Sequence, residues 1–321
     1  MNFGIIGLGN IANKFAKTLN SMNECLYAVA SRDIAKAKDF SEKYNSIKYY
    51  GSYEELYKDP NIDIIYIATP NSCHFQNAND ALLNNKNVIC EKPFTTNPND
   101  ATYLYYLAKV KNLFIMEALW IEFLPAYKMI KEIINNGEIG NIKNIKVSYG
   151  FDTNPERKIR KFNSSLAGGA LLDIGIYNLG FIDMICNSEV ESFESNYNIN
   201  EYGTDDYSEI NLIYKNGITA NSITAIGKDI KREAFIYGEK GLIYIPDFQQ
   251  NQSFKLITDK EIDYSYPFEI NGFEYQIKEA INSINNKLNE STNYPSERSI
   301  RLMELLYNIR MSWNMKFRFE E

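Results

Sequence analysis

Phe3-Gly4-Ile5-Ile6-Gly7-Leu8-Gly9-Asn10-Ile11-Ala12, running into a helical pattern through Leu19, is the stretch whose reading decides the fold. A short apolar strand meets G-x-G-x-x-A, and a helix follows it directly. Each position in that turn has a physical task. Gly7 permits the tight turn, Gly9 lets a pyrophosphate approach the backbone, and the small Ala12 lets helix and strand pack closely. Asn10 and Ile11 open the helix, whose unpaired N–H groups face an anion. The chain is therefore predicted to begin with a dinucleotide-binding βαβ unit.

The next strand, Leu26 to Ala30, ends where the two dinucleotides are told apart. A carboxylate there would hydrogen-bond the adenosine ribose of NAD and repel a 2′-phosphate. Ser31 and Arg32 stand there instead, a hydroxyl and a permanently charged fork suited to phosphate. Asp33 is the competing carboxylate, but before Ile34-Ala35-Lys36-Ala37 it reads as a helix N-cap. NADP(H) is favoured, with NAD(H) possible.

Further units follow by short connections. Ile47 to Tyr50 reads as a strand, Ser52 to Glu55 as a capping box, and Ile62 to Ala68 as a buried strand ending at Thr69-Pro70-Asn71-Ser72-Cys73-His74. Thr69, Pro70 and Asn71 should line the nicotinamide ribose, with His74 in a supporting role. His74 is the only histidine, so no zinc site or triad built on several histidines is available. Asn87-Val88-Ile89 then delivers Cys90-Glu91-Lys92-Pro93 to the carboxyl edge of the sheet, where open α/β sheets bind ligands. Pro93 should hold Lys92 extended. A helix from Pro98 toward Asn112 and a strand over Leu113 to Met116 complete a doubly wound parallel sheet, predicted over residues 1–118.

Bulk properties are those of an ordinary globular protein. The chain has 321 residues, 45% hydrophobic and 23% charged, enough for two cores. A formal charge of −7 without a basic run argues against nucleic acid and anionic membranes as partners. Cys25, Cys73, Cys90 and Cys186 lack metal or C-x-x-C spacing and read as reduced thiols, pointing to the cytoplasm. The first strand starts almost at Met1, which leaves no room for a signal peptide, and no apolar run is expected to reach membrane-spanning length.

The remainder, residues 119–321, is predicted to be an α+β domain. A helix should follow Leu124-Pro125, then a strand over Ile142 to Tyr149, then a polar loop with Arg157, Lys158, Arg160 and Lys161. One of these basic residues, Arg160 among them, is a candidate for holding a substrate hydroxyl or phosphate. Next comes Ala167-Gly168-Gly169-Ala170-Leu171-Leu172-Asp173-Ile174-Gly175-Ile176-Tyr177, in which Asp173 and Tyr177 are four apart and share a helix face. Successive short segments from Val190 to Tyr264, with a hairpin turn at Asn216-Gly217, predict a large, mainly antiparallel open sheet. Helices opening at Phe273 and near Ser296 close the chain, and the last is expected to pack back on the first domain.

Taken together, Gly7 to Ala12, Thr69-Pro70-Asn71 with His74, Glu91-Lys92-Pro93, and the G-G-A-L-L-D-I-G-x-Y run from Gly168 resemble the Gfo/Idh/MocA family over nearly the whole chain. Met116 to Trp120 and Leu166 to Tyr177 look most like its dihydrodiol dehydrogenase and sugar-oxidoreductase branch. The resemblance implies hydride transfer between nicotinamide and a secondary alcohol or carbonyl of a sugar, a diol or a related polyhydroxy compound. It makes Lys92 the lysine beside the nicotinamide, Asp173 its polar partner and Tyr177 the proton donor or acceptor; Glu91 and Pro93 flank the cofactor. A free tyrosine titrates near ~10, and a nearby cation lowers an acidic group by roughly 1 to 3 units. Trp120 and Phe273 are implied to wall the pocket, although core packing also explains them. Glu122 stands where relatives often carry arginine. A homodimer, or a dimer of dimers, through the open sheet is implied as well. Two other readings stand beside the enzyme: a non-catalytic dinucleotide sensor on the same fold, and a glycosidase that keeps its dinucleotide bound.

Overall fold

The computed structural model describes residues 1–320, apart from the side chains of Pro155 and Arg157, so Arg157 lies outside the described side chains. The chain forms two compact units, Met1–Trp120 with Glu269–Glu304, and Ile121–Phe268 with Leu305–Glu321.

The first unit is built on six strands, β1 (Asn2–Ile6), β2 (Cys25–Ala30), β3 (Lys48–Tyr50), β4 (Ile64–Ile67), β5 (Asn87–Glu91) and β6 (Ile115–Ala118). They lie in the order β3-β2-β1-β4-β5-β6, and every pairing is parallel. The strand order reverses between β1 and β4, and the glycine turn after β1 opens there, at the switch point where such sheets bind dinucleotides. Phe3, Ile5, Ile6 and all four residues of β4 have no exposed surface, as expected of a sheet covered on both faces. The last strand starts two residues later than the sequence predicts. Asn112 adopts φ 54° and the N–H of Leu113 closes back on Ala108 at 2.9 Å, so those residues cap the helix before extended pairing begins.

The chain returns to this unit through Glu269–Glu304. The Asn271 amide donates to Thr18 Oγ1 at 2.8 Å, and the Ile115 N–H donates to the Asn289 carbonyl at 2.9 Å. Those long-range bonds have no signature in local sequence.

The second unit carries an eight-stranded sheet: β7 (Ile142–Phe151), β8 (Val190–Ile199), β9 (Asp205–Tyr214), β10 (Thr219–Ile226), β11 (Ile230–Gly238), β12 (Leu242–Ile245), β13 (Ser253–Ile257) and β14 (Glu261–Ser265). Its order is β14-β13-β12-β11-β7-β10-β9-β8. The β7–β10 pair is parallel and the other pairs are antiparallel. Alternate residues face the core: Ile145, Val147, Ile210, Leu212, Ala234 and Ile236 are each at most 2% exposed.

Two expectations are corrected here. The segment read as a polar loop is a short helix, Pro155–Lys161, with Glu156 in its first turn and Lys158, Arg160 and Lys161 in its last. That charge order favours the helix dipole, and proline fits the first helical position. Second, Ser164–Cys186 is long and apolar enough to cross a membrane by length and composition, yet 94% of its apolar window is buried inside the protein. A core helix enclosed on all sides is hydrophobic all round, and Gly168, Gly169, Asp173 and Asn178 hide that in a residue-by-residue reading.

Candidate active site

Within the first unit, Gly7 sits at φ +79°, and a Cβ there would lie 2.4 Å from the Ala68 carbonyl, so glycine is obligatory. A Cβ on Gly9 would have the Gly7 oxygen, at 3.9 Å, as its one near neighbour. The turn is thus closed toward the protein and open toward the helix N-terminus, the shape a pyrophosphate requires. Ser31 is half-buried and Arg32 exposed at the end of β2. Asp33 caps the next helix, accepting from the N–H of Ala35 at 3.0 Å and of Lys36 at 3.3 Å. The residues present therefore fit a dinucleotide: an open cradle, with a guanidinium at the point that reads the ribose.

The loop after β4 is tied inward. Thr69 Oγ1 accepts from the Asn77 amide at 3.0 Å, and Asn71 opens a single helical turn, Asn71–Cys73. His74 is buried, with Nε2 2.9 Å from the Thr69 carbonyl and Nδ1 2.7 Å from the Pro93 carbonyl. It is a strut joining the ends of β4 and β5. Burial pulls its pKa down, against the two carbonyls, which favour the charged ring.

Lys92 is half-buried beyond the end of β5, and the Lys92–Pro93 peptide is cis, a feature outside the sequence reading. The backbone past it is held from a second side. Glu117 on β6, fully buried, accepts from the Phe94 N–H at 3.0 Å, the Tyr294 hydroxyl at 3.0 Å and the Ser299 hydroxyl at 2.6 Å. Glu91 accepts from the Tyr66 hydroxyl, and burial pushes its pKa up. Glu117 carries no motif, so nothing local in the sequence marks it.

Trp120 and Phe273 are each 2% exposed and meet edge to face, with ring centroids 5.2 Å apart. The ammonium of Lys14 lies 4.4 Å from the Trp120 centroid and 4.0 Å from that of Phe273. Sequence reading singled out Gly7 to Ala12 and passed over Lys14, two residues further on.

Within the second unit, a π turn over Leu171–Gly175 leads into the helix Ile176–Cys186. Such turns recur at functional sites, and this one carries Asp173 just before Tyr177, which is 7% exposed. The segment is anchored at both ends. Asp205 on β9 accepts from the Leu171 N–H at 2.7 Å, and its burial pushes its pKa up to about 7. Directly after Tyr177, the Asn178 amide donates to Ser222, Ile223 and Thr224 of β10 at 3.0–3.1 Å. Gly169 has φ +119°, and a Cβ would fall 2.3 Å from Asp205 Oδ1, which explains that glycine. Among the basic residues of the preceding helix, Lys161 forms an ion pair with Asp173, while Arg160 is exposed. Lys161 is the partner of Asp173 that sequence reasoning could not single out.

Comparison with known proteins identifies the family to which this fold belongs. Residues 1–119 match the model of an oxidoreductase family with an NAD-binding Rossmann fold, and residues 127–244 match the Gfo/Idh/MocA C-terminal domain. A trans-1,2-dihydrobenzene-1,2-diol dehydrogenase from Xenopus laevis is 36% identical over 83% of this chain and 81% of its own. One from Mus musculus is 32% identical over 99% and 98%. Among solved structures, a 3-ketoreductase from Actinomadura kijaniata, KijD10, superposes with a TM-score of 0.89 at 22% identity over 97% of both chains. An aldose-aldose oxidoreductase from Caulobacter crescentus gives 0.86 at 22% identity over 98% of both chains. The chain belongs to the Gfo/Idh/MocA family of NAD(P)-dependent oxidoreductases.

Proposed function

We propose that the protein is an NADP(H)-dependent oxidoreductase acting on a secondary alcohol or carbonyl of a sugar, a diol or a related polyhydroxy compound. The observation that carries this reading is the effort spent on one lysine. The backbone beside Lys92 is fastened by His74 to the β4 loop and by Glu117 to Tyr294 and Ser299, all buried polar groups. A solvated surface lysine gains nothing from such anchoring, whereas a reacting group needs it. The naming of the curated relatives as dihydrodiol dehydrogenases supports the substrate class.

The nicotinamide, when bound, supplies the two-electron chemistry that side chains lack. The chain's own residues do the rest. The Gly7–Gly9 turn and the helix N-terminus bind the diphosphate, Ser31 and Arg32 select the 2′-phosphate, and Thr69, Pro70 and Asn71 border the ribose. Tyr177 Oη exchanges the proton of the reacting hydroxyl, and Lys92 is the lysine beside the nicotinamide. Asp173, paired with Lys161, fixes polarity beside Tyr177. Four free cysteines suit a reducing compartment, the cytoplasm.

We further propose a homodimer formed through the outer face of the sheet. Phe235, Tyr237 and Tyr244 cluster there, Phe235 lying 6.0 Å from Tyr237 and 4.8 Å from Tyr244 between ring centroids.

The test is a panel of sugars, deoxysugars, diols and dicarbonyls screened by nicotinamide absorbance with NADP and NAD, repeated with Lys92→Ala and Tyr177→Phe. Loss of acid–base help lowers kcat by about 10²- to 10⁴-fold. Variants that turn over like the parent refute the assigned roles, and sugar release without an absorbance change points to the glycosidase.

A further inference from the structure

We propose that Lys14 is a dinucleotide-binding residue, its ammonium donating to an oxygen of the cofactor from a seat formed by Trp120 and Phe273. The proposal rests on the dinucleotide-binding reading and adds a contact to it.

Three observations converge. The first is position. Lys14 follows Asn10 by four residues and Ile11 by three, so it shares their helix face, and helical side chains lean toward the N-terminus. Its long stem therefore reaches back toward the end of the helix where the glycine turn receives a diphosphate.

The second is the seat. The ammonium sits 4.0 Å and 4.4 Å from two aromatic centroids, while those rings are themselves 2% exposed. A molecule arriving at this corner meets the cation and not the rings.

The third is unused bonding capacity. An ammonium has three N–H donors, and among the described residues no oxygen accepts from Lys14 Nζ. The charged groups that face it are already committed. Glu274 takes the N–H groups of Ile270 at 2.9 Å, Asn271 at 3.1 Å and Gly272 at 2.7 Å, and Glu91 takes the Tyr66 hydroxyl. Both carboxylates attract the cation at a distance, yet burial outweighs them and lowers the Lys14 pKa to about 8. A purely structural lysine would extend its head into water. This one stays where its donors await an acceptor, and dinucleotide phosphate or carboxamide oxygens supply it.

The experiment measures NADP binding to the full-length protein by calorimetry, which needs no turnover. At pH 7, Lys14→Met is expected to weaken NADP about 10- to 100-fold, the range for a hydrogen bond to a charged group, and Lys14→Arg to retain affinity. Parent affinity should fall as pH rises through about 8, and the Lys14→Arg variant, whose guanidinium stays charged, should lack that fall. Binding by Lys14→Met within twofold of the parent, or the same alkaline fall in both parent and Lys14→Arg, overturns the proposal. If Lys14→Met does not fold, the Lys14→Arg pH comparison decides alone. A parent that binds NADP yet turns over no panel compound would sink the catalytic reading and leave this test intact.

Discussion

Replacing Arg32 tests the nucleotide preference at its most specific point. Arg32 is exposed at the end of β2, close enough to Tyr53 to oppose the burial-driven rise of that phenol's pKa. The neighbouring carboxylate, Asp33, is occupied by two backbone N–H groups, and the Ser31 hydroxyl accepts the Asp33 N–H at 3.2 Å. The guanidinium is then the principal charge available to a 2′-phosphate. A hydrogen bond to a charged group contributes about 1.5 to 3 kcal/mol, and solvent screening at an exposed position trims this to about 1 to 2 kcal/mol. Arg32→Ala should therefore lower kcat/KM for NADP by roughly 5- to 30-fold while leaving NAD within about twofold, from RT ≈ 0.59 kcal/mol. Arg32→Asp should go further, because a carboxylate repels the phosphate and accepts from the NAD ribose. The preference of the parent should also shrink with added salt. Initial rates with both dinucleotides, at two ionic strengths, are the assay. Equal losses for NADP and NAD on Arg32→Ala would refute the assignment, since an effect on folding or catalysis does not distinguish them.

The buried polar groups and the exposed sheet face are open to measurement as well. Glu117→Ala strands the Phe94 N–H and the Tyr294 and Ser299 hydroxyls in the interior, and at about 1 to 3 kcal/mol for each stranded donor should cost about 3 to 5 kcal/mol in urea unfolding. A loss under 1 kcal/mol would remove Glu117 from the scaffold. His74 and Asp205 should give pH slopes of opposite sign. The folded pKa of His74 lies below its ordinary 6.5, so its share of stability is complete above 6.5 and declines as pH falls below it. Asp205 rises from 3.8 to about 7, so its folded form binds the extra proton and its share declines as pH climbs through that window. Melting curves from pH 5 to 8 should flatten on the acid side in His74→Asn and on the neutral side in Asp205→Asn; unchanged slopes would count against the burial argument. Phe235→Glu should shift sedimentation from dimer to monomer, and an unaltered dimer would place the interface elsewhere.

The parallel sheet was legible because its punctuation is local. A glycine turn, a capping box at Ser52 and an N-cap at Asp33 each announce themselves within a few residues, and the structure realises all three. The antiparallel sheet was equally legible through its succession of short segments and the turn at Gly217, where φ is +82°. What escaped was set by contacts distant in sequence. The choice of Lys161 over Arg160 depends on helical phase in a segment too short to show periodicity. Glu117 looks like any charged residue in a strand until Tyr294 and Ser299, more than 170 positions later, close on it. The buried Ser164–Cys186 run was misread because its polar residues, which mark a surface in most helices, here serve the protein's own interior.

Interior polar groups of this kind also decide how the second unit holds Tyr177. A π turn is a costly way to start a helix, since it breaks the regular ladder, and here it lies between two polar anchors. Asp205 receives the Leu171 N–H on one side, and Asn178 grips three groups of β10 on the other. Asp205 Oδ1 meanwhile has no hydrogen-bond partner among the described residues, and Gly169 keeps it free of a Cβ. The two anchors fix the rotation of the helix about its axis as well as its position, and that rotation decides where Tyr177 Oη points. Asn178→Ala and Asp205→Asn should therefore lower kcat with little change in KM, an effect on orientation that nucleotide binding would not register. If either variant instead raises KM while kcat stands, the anchors shape the binding surface and leave the aim of the phenol to other contacts.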